Sequence, residues 1–266
     1  VTEELPPNLT PDAFVGTAEY YLRYRLPYPA AMLGDLRQRA GVTGRGRLLD
    51  LACGPGRIAL DLAPRFAEVW ALDLEPEMVA VARAEAERRG LANLRWLVGR
   101  AEDLAAPAGA FELITIGEAF HRLDQPLVAR RCLEWLAPGG CLATMGGDGA
   151  TVGPEPWQKA ARDVVRRFVR HQSPGDGPPD LDDRGEGLRR AGFIDVAVYE
   201  FLVAHAWTVE SIIGHLYSTS YGSKTQLGER AAAFEAGLTD ALLAAEPSGR
   251  FRQEATFGYT FARKPA

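Results

Sequence analysis

The stretch LLDLACGPGRIAL, Leu48 to Leu60, gathers residues that could do chemistry: Asp50 within an apolar run, then Gly54 and Gly56. Gly54 to Ala59 satisfies the G-x-G-x-x-A form of a loop that presents backbone N–H groups to a dinucleotide. A pyrophosphate here would meet the uncompensated charge of Asp50 close to the helix N-terminus meant to hold it. Pro55 also removes one amide such a cradle would use. A ligand carrying an ammonium and a positive sulfur would instead be drawn to the acid. Asp73 ends the next apolar run, where a carboxylate can accept two hydrogen bonds from ribose hydroxyls. Any adenosine ligand would use it, and an ordinary helix cap would look the same.

Histidine is the side-chain type suited to removing a hydroxyl proton near neutral pH. His121 follows the fourth apolar run and is the candidate base, against the alternative that it caps or packs the next helix. His215 lies in WTVESIIGHLY, whose Ile212, Ile213 and Leu216 mark a helix that mainly buries a face. His171 and His205 read as packing residues, and the spacing of the four histidines implies no metal site. Tyr21, Tyr24 and Tyr28 recur at i, i+3, i+7 before Pro27 and Pro29 break the helix, as a lid or as packing. Arg25 among them suits a carboxylate. Trp157, Phe168, Tyr217 and Tyr221 read either as core or as an aromatic lining for a flat acceptor. Arg162, Arg166, Arg167 and Arg170 read as a solvated helix face.

The elements that must position these residues follow from periodicity. From residue 46, short apolar runs at Arg47–Leu51, Val69–Asp73, Leu94–Val98, Leu113–Ile116 and Cys141–Met145 alternate with helical stretches such as Pro76–Arg89, closed by Gly90. This is the pattern of a parallel sheet with crossover helices. GFIDVAVYEFLVAH and RQEATFGYTFARK read as a final strand pair, with two helices between them in residues 208–246. The expected architecture is α/β, one domain. Residues 1–40 form a helical lid, 45–145 a cofactor-binding core, 146–190 a cap insertion, and 191–266 complete the sheet and substrate pocket.

With 266 residues and 47% apolar composition, the chain can bury one sizeable core. A net charge of -5 gives no general pull toward nucleic acid or anionic lipid, so neither is expected as a partner. Three cysteines without metal-ligand spacing, and no signal-like or long apolar segment, lead to the expectation of a reduced, cytoplasmic setting.

Asp50-Leu51-Ala52-Cys53-Gly54-Pro55-Gly56 resembles the first motif of class I S-adenosylmethionine-dependent methyltransferases. Asp73 is similar to their ribose acid, GRAEDL at Gly99–Leu104 to their adenine segment, FELITIGEAFHRLD at Phe111–Asp124 to their fourth-strand motif, and LAPGG to their turn before the fifth strand. YYLRYRLPYP, AFHRLD and YSTSY resemble the small-molecule branch around trans-aconitate methyltransferase. The resemblance implies a doubly wound Rossmann-like sheet of seven strands, mostly parallel with the last antiparallel, plus helical cap elements. It implies S-adenosylmethionine as cofactor, with Ala52 and Gly54 at its methionyl amino end, Asp50 ordering the loop, and Gly56 completing the motif. Asp73 would hold the ribose and Leu74 pack on adenine. Ala101 and Glu102 would reach the ring, and Gly117 would lie beside the methionine moiety. Tyr21 and Arg25 would close over the cofactor. Tyr24, Trp157, His215, Tyr217 and Tyr221 would meet the acceptor. Relatives often carry Gly where Ala52 stands and Asp or Asn where Arg100 stands; an arginine cannot accept a hydrogen bond from adenine.

The function expected is methyl transfer to a small organic acceptor, at oxygen of a natural-product-like or carboxylic acid metabolite. A nicotinamide-dependent oxidoreductase shares the glycine pattern. A non-catalytic cofactor-binding protein would share the fold but keep no open acceptor cavity.

Overall fold

The computed structural model describes residues 13–169 and 181–266, apart from the side chains of residues 181–184. His171 and Arg170 lie outside the described residues. The helices are α1 (Ala18–Tyr24), α2 (Ala30–Ala40), α3 (Arg57–Leu62), α4 (Pro76–Arg88), α5 (Gln125–Trp135), α6 (Pro156–Phe168), α7 (Leu181–Arg190), α8 (Val209–Tyr217), α9 (Lys224–Leu227) and α10 (Ala231–Ala245). The strands are β1 (Arg47–Leu51), β2 (Glu68–Asp73), β3 (Leu94–Val98), β4 (Phe111–Gly117), β5 (Leu136–Gly147), β6 (Ile194–Thr208) and β7 (Arg250–Arg263).

They form one sheet in the order β3-β2-β1-β4-β5-β7-β6. The first five pair in parallel, and β7 runs antiparallel to both β5 and β6. The chain moves outward from β1 in one direction through β2 and β3, and in the other through β4 and β5. Ligands of such sheets bind at the carboxyl ends of the strands flanking that reversal. The turns after β1 and β4 therefore face one crevice.

Each face of the sheet carries its own apolar cluster. Met32, Leu36, Ile58 and Leu62 cover one face, and Val128, Cys132, Trp135 and Leu188 cover the other. A third cluster, with Trp157, Val164, Ile212, Leu216, Phe234 and Phe251, joins α6, α8 and α10 above the carboxyl end. Among the described residues, no helix is long and apolar enough to cross a membrane.

Two expectations about local structure change. The tyrosine stripe does not lie on one helix: α1 ends at Tyr24, and Arg25 is extended at φ -68 and ψ 141, so Tyr28 leaves on a separate segment. Residues 208–246 hold α9 as well as two longer helices. α9 is a single turn begun by the Ser223 side chain, which accepts from Gln226 N, and stopped at Gly228 with φ 54.

Candidate active site

β1 carries Asp50 into the sheet between β2 and β4, beside Thr115 on β4. Its carboxylate accepts the Thr115 hydroxyl at 2.7 Å and the Ala59 amide at 3.1 Å. Gly56, the residue that starts α3, has no side chain to cap the helix, so Asp50 supplies the acceptor from below. Burial pushes the Asp50 carboxyl up to about 7, against the pull of those two hydrogen bonds. The acid is wholly buried and is not among the residues that line the crevice described next. Gly56 is likewise absent from the cavity wall. It takes φ 79, and a Cβ there would stand 3.0 Å from Trp96 and 3.1 Å from Ala82; its role is close packing.

The crevice itself is lined by Ala52, Gly54, Asp73, Leu74, Ala101, Glu102 and Gly117, the group expected to hold the cofactor. Asp73 closes the arrangement: its carboxylate accepts the Gly54 amide at 2.6 Å and the Glu75 amide at 2.9 Å. Burial raises its pKa while these amides lower it. The Gly54 N–H is therefore taken, while its carbonyl accepts from the Cys53 thiol at 3.5 Å and keeps a second lone pair to offer. Leu74 stays 43% exposed over the cavity, as a surface waiting for a flat partner would be. Glu102, on a turn at Ala101–Asp103, is buried and accepts from the Asp124 amide at 3.1 Å. Arg100 faces Glu102 and Asp103, at 3.7 and 3.5 Å.

A second cavity of about 410 Å³ adjoins the first, within the range of small-molecule sites. His121, His215, Tyr221 and Arg25 line it, together with Glu200 and the backbone at Gly146, Gly147, Gly149 and Gly258. Phe14, Tyr21, Glu118, Ala119 and Arg122 line both cavities and form the wall between them. Arg25 stacks over the Tyr21 ring at 4.8 Å and pairs with Glu118 at 2.7 Å. Burial and the Glu118 charge push the Tyr21 hydroxyl up to about 12, so it stays a neutral donor.

Four aromatic residues expected near the acceptor lie elsewhere. The Tyr24 hydroxyl donates to Glu210 at 2.7 Å, and its ring lies against Gly214 of α8. Trp157 is buried against Phe251, and Phe168 against Phe234. Tyr217 is buried with its hydroxyl on Glu235 at 2.9 Å. Trp157, Phe168 and Tyr217 share one reason, since α6, α8, α10 and β7 bury their aromatic residues in one cluster, while Tyr24 is held by its contact with α8. Arg162 also departs from a solvated reading, since it donates to the carbonyls of Thr151 and Gly153 and holds the loop beside the cavity.

Sequence reasoning missed Glu118 and the glycine-lined floor. Both had a signal, since Glu118 directly follows the last residue of β4 and GGDG spans the last two residues of β5 and the two beyond it.

Residues 48–140 match the family model described as a methyltransferase domain. Over 120 residues the chain is 38% identical to a ubiquinone biosynthesis O-methyltransferase of Xanthomonas axonopodis pv. citri, covering 44% of this chain and 46% of that protein. Over 102 residues it is 42% identical to a demethylmenaquinone methyltransferase of Thermus thermophilus, covering 37% and 46%. The chain thus spans about half the length of these curated relatives. A phosphoethanolamine N-methyltransferase 2 of Haemonchus contortus, solved with S-adenosyl-L-methionine, shares the fold at TM-score 0.56 and 18% identity, over 95% of this chain and 57% of that one. The matched segment holds the glycine loop, Asp73, Glu102 and Glu118, while much of the second cavity comes from the chain beyond it.

Proposed function

We propose that this chain transfers a methyl group from S-adenosylmethionine to the oxygen of a small organic acceptor, a natural-product-like or carboxylic acid metabolite. The observation that carries the reading is the pair of adjoining cavities sharing the wall of Tyr21, Glu118 and Ala119. One cavity has the groups an adenosine ligand needs, and the other is open and lined by polar and apolar surface alike. An open second cavity favours turnover over a protein that merely holds a cofactor.

The residues present fit the cofactor. Gly117 lines the first cavity, and a Cβ there would stand 2.7 Å from both Ile58 and the Tyr28 hydroxyl, so the backbone alone fits. Asp73 would take the ribose and Leu74 the adenine. Ala101 and Glu102 would meet the ring edge, and Ala52, Gly54 and Gly117 the methionyl part. Tyr21 would cover it, and Arg25, which lines the second cavity but not the crevice, would hold Tyr21 and Glu118 in the wall between them. When bound, S-adenosylmethionine supplies a methyl group already activated on a positive sulfur. The chain then has to align an acceptor oxygen, exclude water and take up a proton, and positioning alone can lower such a barrier by about 7–11 kcal/mol. His121 and His215 line the second cavity and would take up the proton, and Tyr221 on the same wall would meet the acceptor. The O-methyltransferase among the relatives supports oxygen as the atom methylated. Of the described residues, those from 13 to 29 serve as lid and those from 148 to 169 as cap in this reading, since α2 and α7 pack on the two faces of the sheet.

Calorimetry with S-adenosylhomocysteine tests the reading. The wild-type chain binds it, and Asp73→Ala weakens binding by about tenfold or more, since hydrogen bonds to a charged group are worth roughly 1.5–3 kcal/mol. A wild-type chain that does not bind it would sink the proposal.

A further inference from the structure

Resting on that reading, we infer that the acceptor is a planar hydroxylated ring lying on a floor of bare backbone, and that His215 receives its hydroxyl proton. The floor is made where β5 and β7 pair: Gly146 stands opposite Gly258, and Gly147 and Gly149 continue along the cavity. The surface these residues give the cavity is peptide backbone, flat on the scale of a ring. A Cβ on Gly147 would run into the Phe257 ring behind the floor. A Cβ on Gly258 would stand 3.0 Å from the Tyr199 carbonyl, and one on Gly149 would stand 2.7 Å from His215 Nε2. Gly149 thus fixes where the imidazole lies, at the inner end of the floor.

His215 is buried on α8, and Trp207 holds its ring edge-to-face at 5.3 Å. Its Nδ1 is buried with no hydrogen-bond partner among the described residues. That nitrogen is closed off from the cavity, so it keeps the ring proton, and Nε2, beside Gly149, offers its lone pair on the acceptor side. The same ring lines a small void shared with Tyr21, Arg25 and Glu118, so it reaches from the acceptor cavity to the wall against the cofactor crevice. His121 lines the acceptor cavity from the turn Phe120–Arg122, half-buried, and does not line that void.

Burial and the nearby charges of Arg25, His205 and Arg57 hold the His215 pKa well below its ordinary value of 6.5. Tyr21, Glu118 and Asp148 also face it across the void. The ring is therefore neutral at neutral pH and carries a free lone pair. In the step, the acceptor O–H proton passes to that lone pair while the oxygen forms its bond to the methyl carbon. The carbon–sulfur bond breaks, its electron pair stays on sulfur to give the thioether, and the imidazolium then loses its proton to water.

The test uses the chain saturated with S-adenosylhomocysteine, with catechol, naphthol and citrate as probes in calorimetry. A ring probe is expected to bind and citrate is not. Gly149→Val should weaken ring binding by about tenfold or more by displacing His215, with affinity for S-adenosylhomocysteine unchanged. Nitrogen NMR should show the His215 ring signals moving on addition of the bound ring in the wild type. With S-adenosylmethionine, His215→Gln should slow methylation of that ring by about a hundredfold or more. It should also remove the acid limb of the wild-type pH–rate profile, which falls only well below pH 6.5. Retained binding of S-adenosylhomocysteine shows that each variant is folded. Citrate binding in preference to rings, no ring binding at all, or a His215→Gln profile equal to wild type would each overturn this inference. Loss of S-adenosylhomocysteine binding in the wild type would instead overturn the function on which it rests.

Discussion

Arg25 Nη1 lies 2.7 Å from Glu118 Oε2, and this pair joins the end of α1 to the end of β4 across the wall between the two cavities. The same guanidinium donates to Ser218 at 2.8 Å, which ties in the end of α8. Glu118 holds φ 50, a conformation uncommon for a residue with a side chain. Arg25→Met leaves the partly buried carboxylate without its partner and should cost roughly 1.5–3 kcal/mol of stability. Glu118→Gln should cost less, since it keeps an acceptor for the arginine. A double-mutant cycle by urea unfolding should return a coupling of about 1 kcal/mol or more, and a value near zero would make the pair passive.

Asp50 links stability to pH. Its carboxyl is pushed up to about 7 in the fold from an ordinary 3.8, so between those values the folded chain holds a proton the unfolded chain has lost. That contribution is complete below pH 3.8 and fades as pH rises through about 7. Asp50→Asn keeps one oxygen as acceptor and has no proton to lose. Urea midpoints measured from pH 4 to pH 8 should show the variant gaining on wild type as pH rises, with the difference levelling above about pH 7. A constant difference across that range would mean that the buried carboxyl is not protonated.

Gly56 and Gly117 should fail in different ways when given a side chain. Gly56→Ala combines left-handed strain of roughly 1–2 kcal/mol with contacts of 3.0–3.3 Å to Trp96, Ala82 and Leu60, so it should lower the melting temperature. Once folded, it should bind S-adenosylhomocysteine almost as well as wild type. Gly117→Ala presses on Ile58 and the Tyr28 hydroxyl behind the crevice wall and shifts Gly117, which lines the crevice, so it should weaken that binding by about tenfold, a loss of roughly 1.4 kcal/mol. Calorimetry on both variants beside thermal melts separates the two.

Tyr217→Phe removes a hydroxyl that donates to Glu235 inside the helical layer. It should cost about 1 kcal/mol of stability and leave the acceptor KM unchanged. A rise in KM would return Tyr217 to the acceptor site from which the packing of α8 on α10 separates it.

The sequence by itself determined the sheet's parallel half and its cofactor crevice. Apolar runs spaced by helices fix the strands, and Asp50, Gly54, Asp73, Glu102 and Gly117 each sit at a strand's end or in the turn beyond it, where local order decides placement. Even there, period alone did not show that Asp50 turns under α3 to accept from Ala59, away from the ligand. Tertiary structure decided the acceptor side. Helical spacing tells that Tyr24, Trp157 and Tyr217 share an apolar face with their neighbours. Whether that face meets a cavity or another helix depends on how α1, α6, α8 and α10 stack. The floor under the acceptor exists only because antiparallel pairing sets Gly146 against Gly258, two glycines far apart in the chain. Contacts of that range are set by packing of whole elements, and no local pattern encodes them.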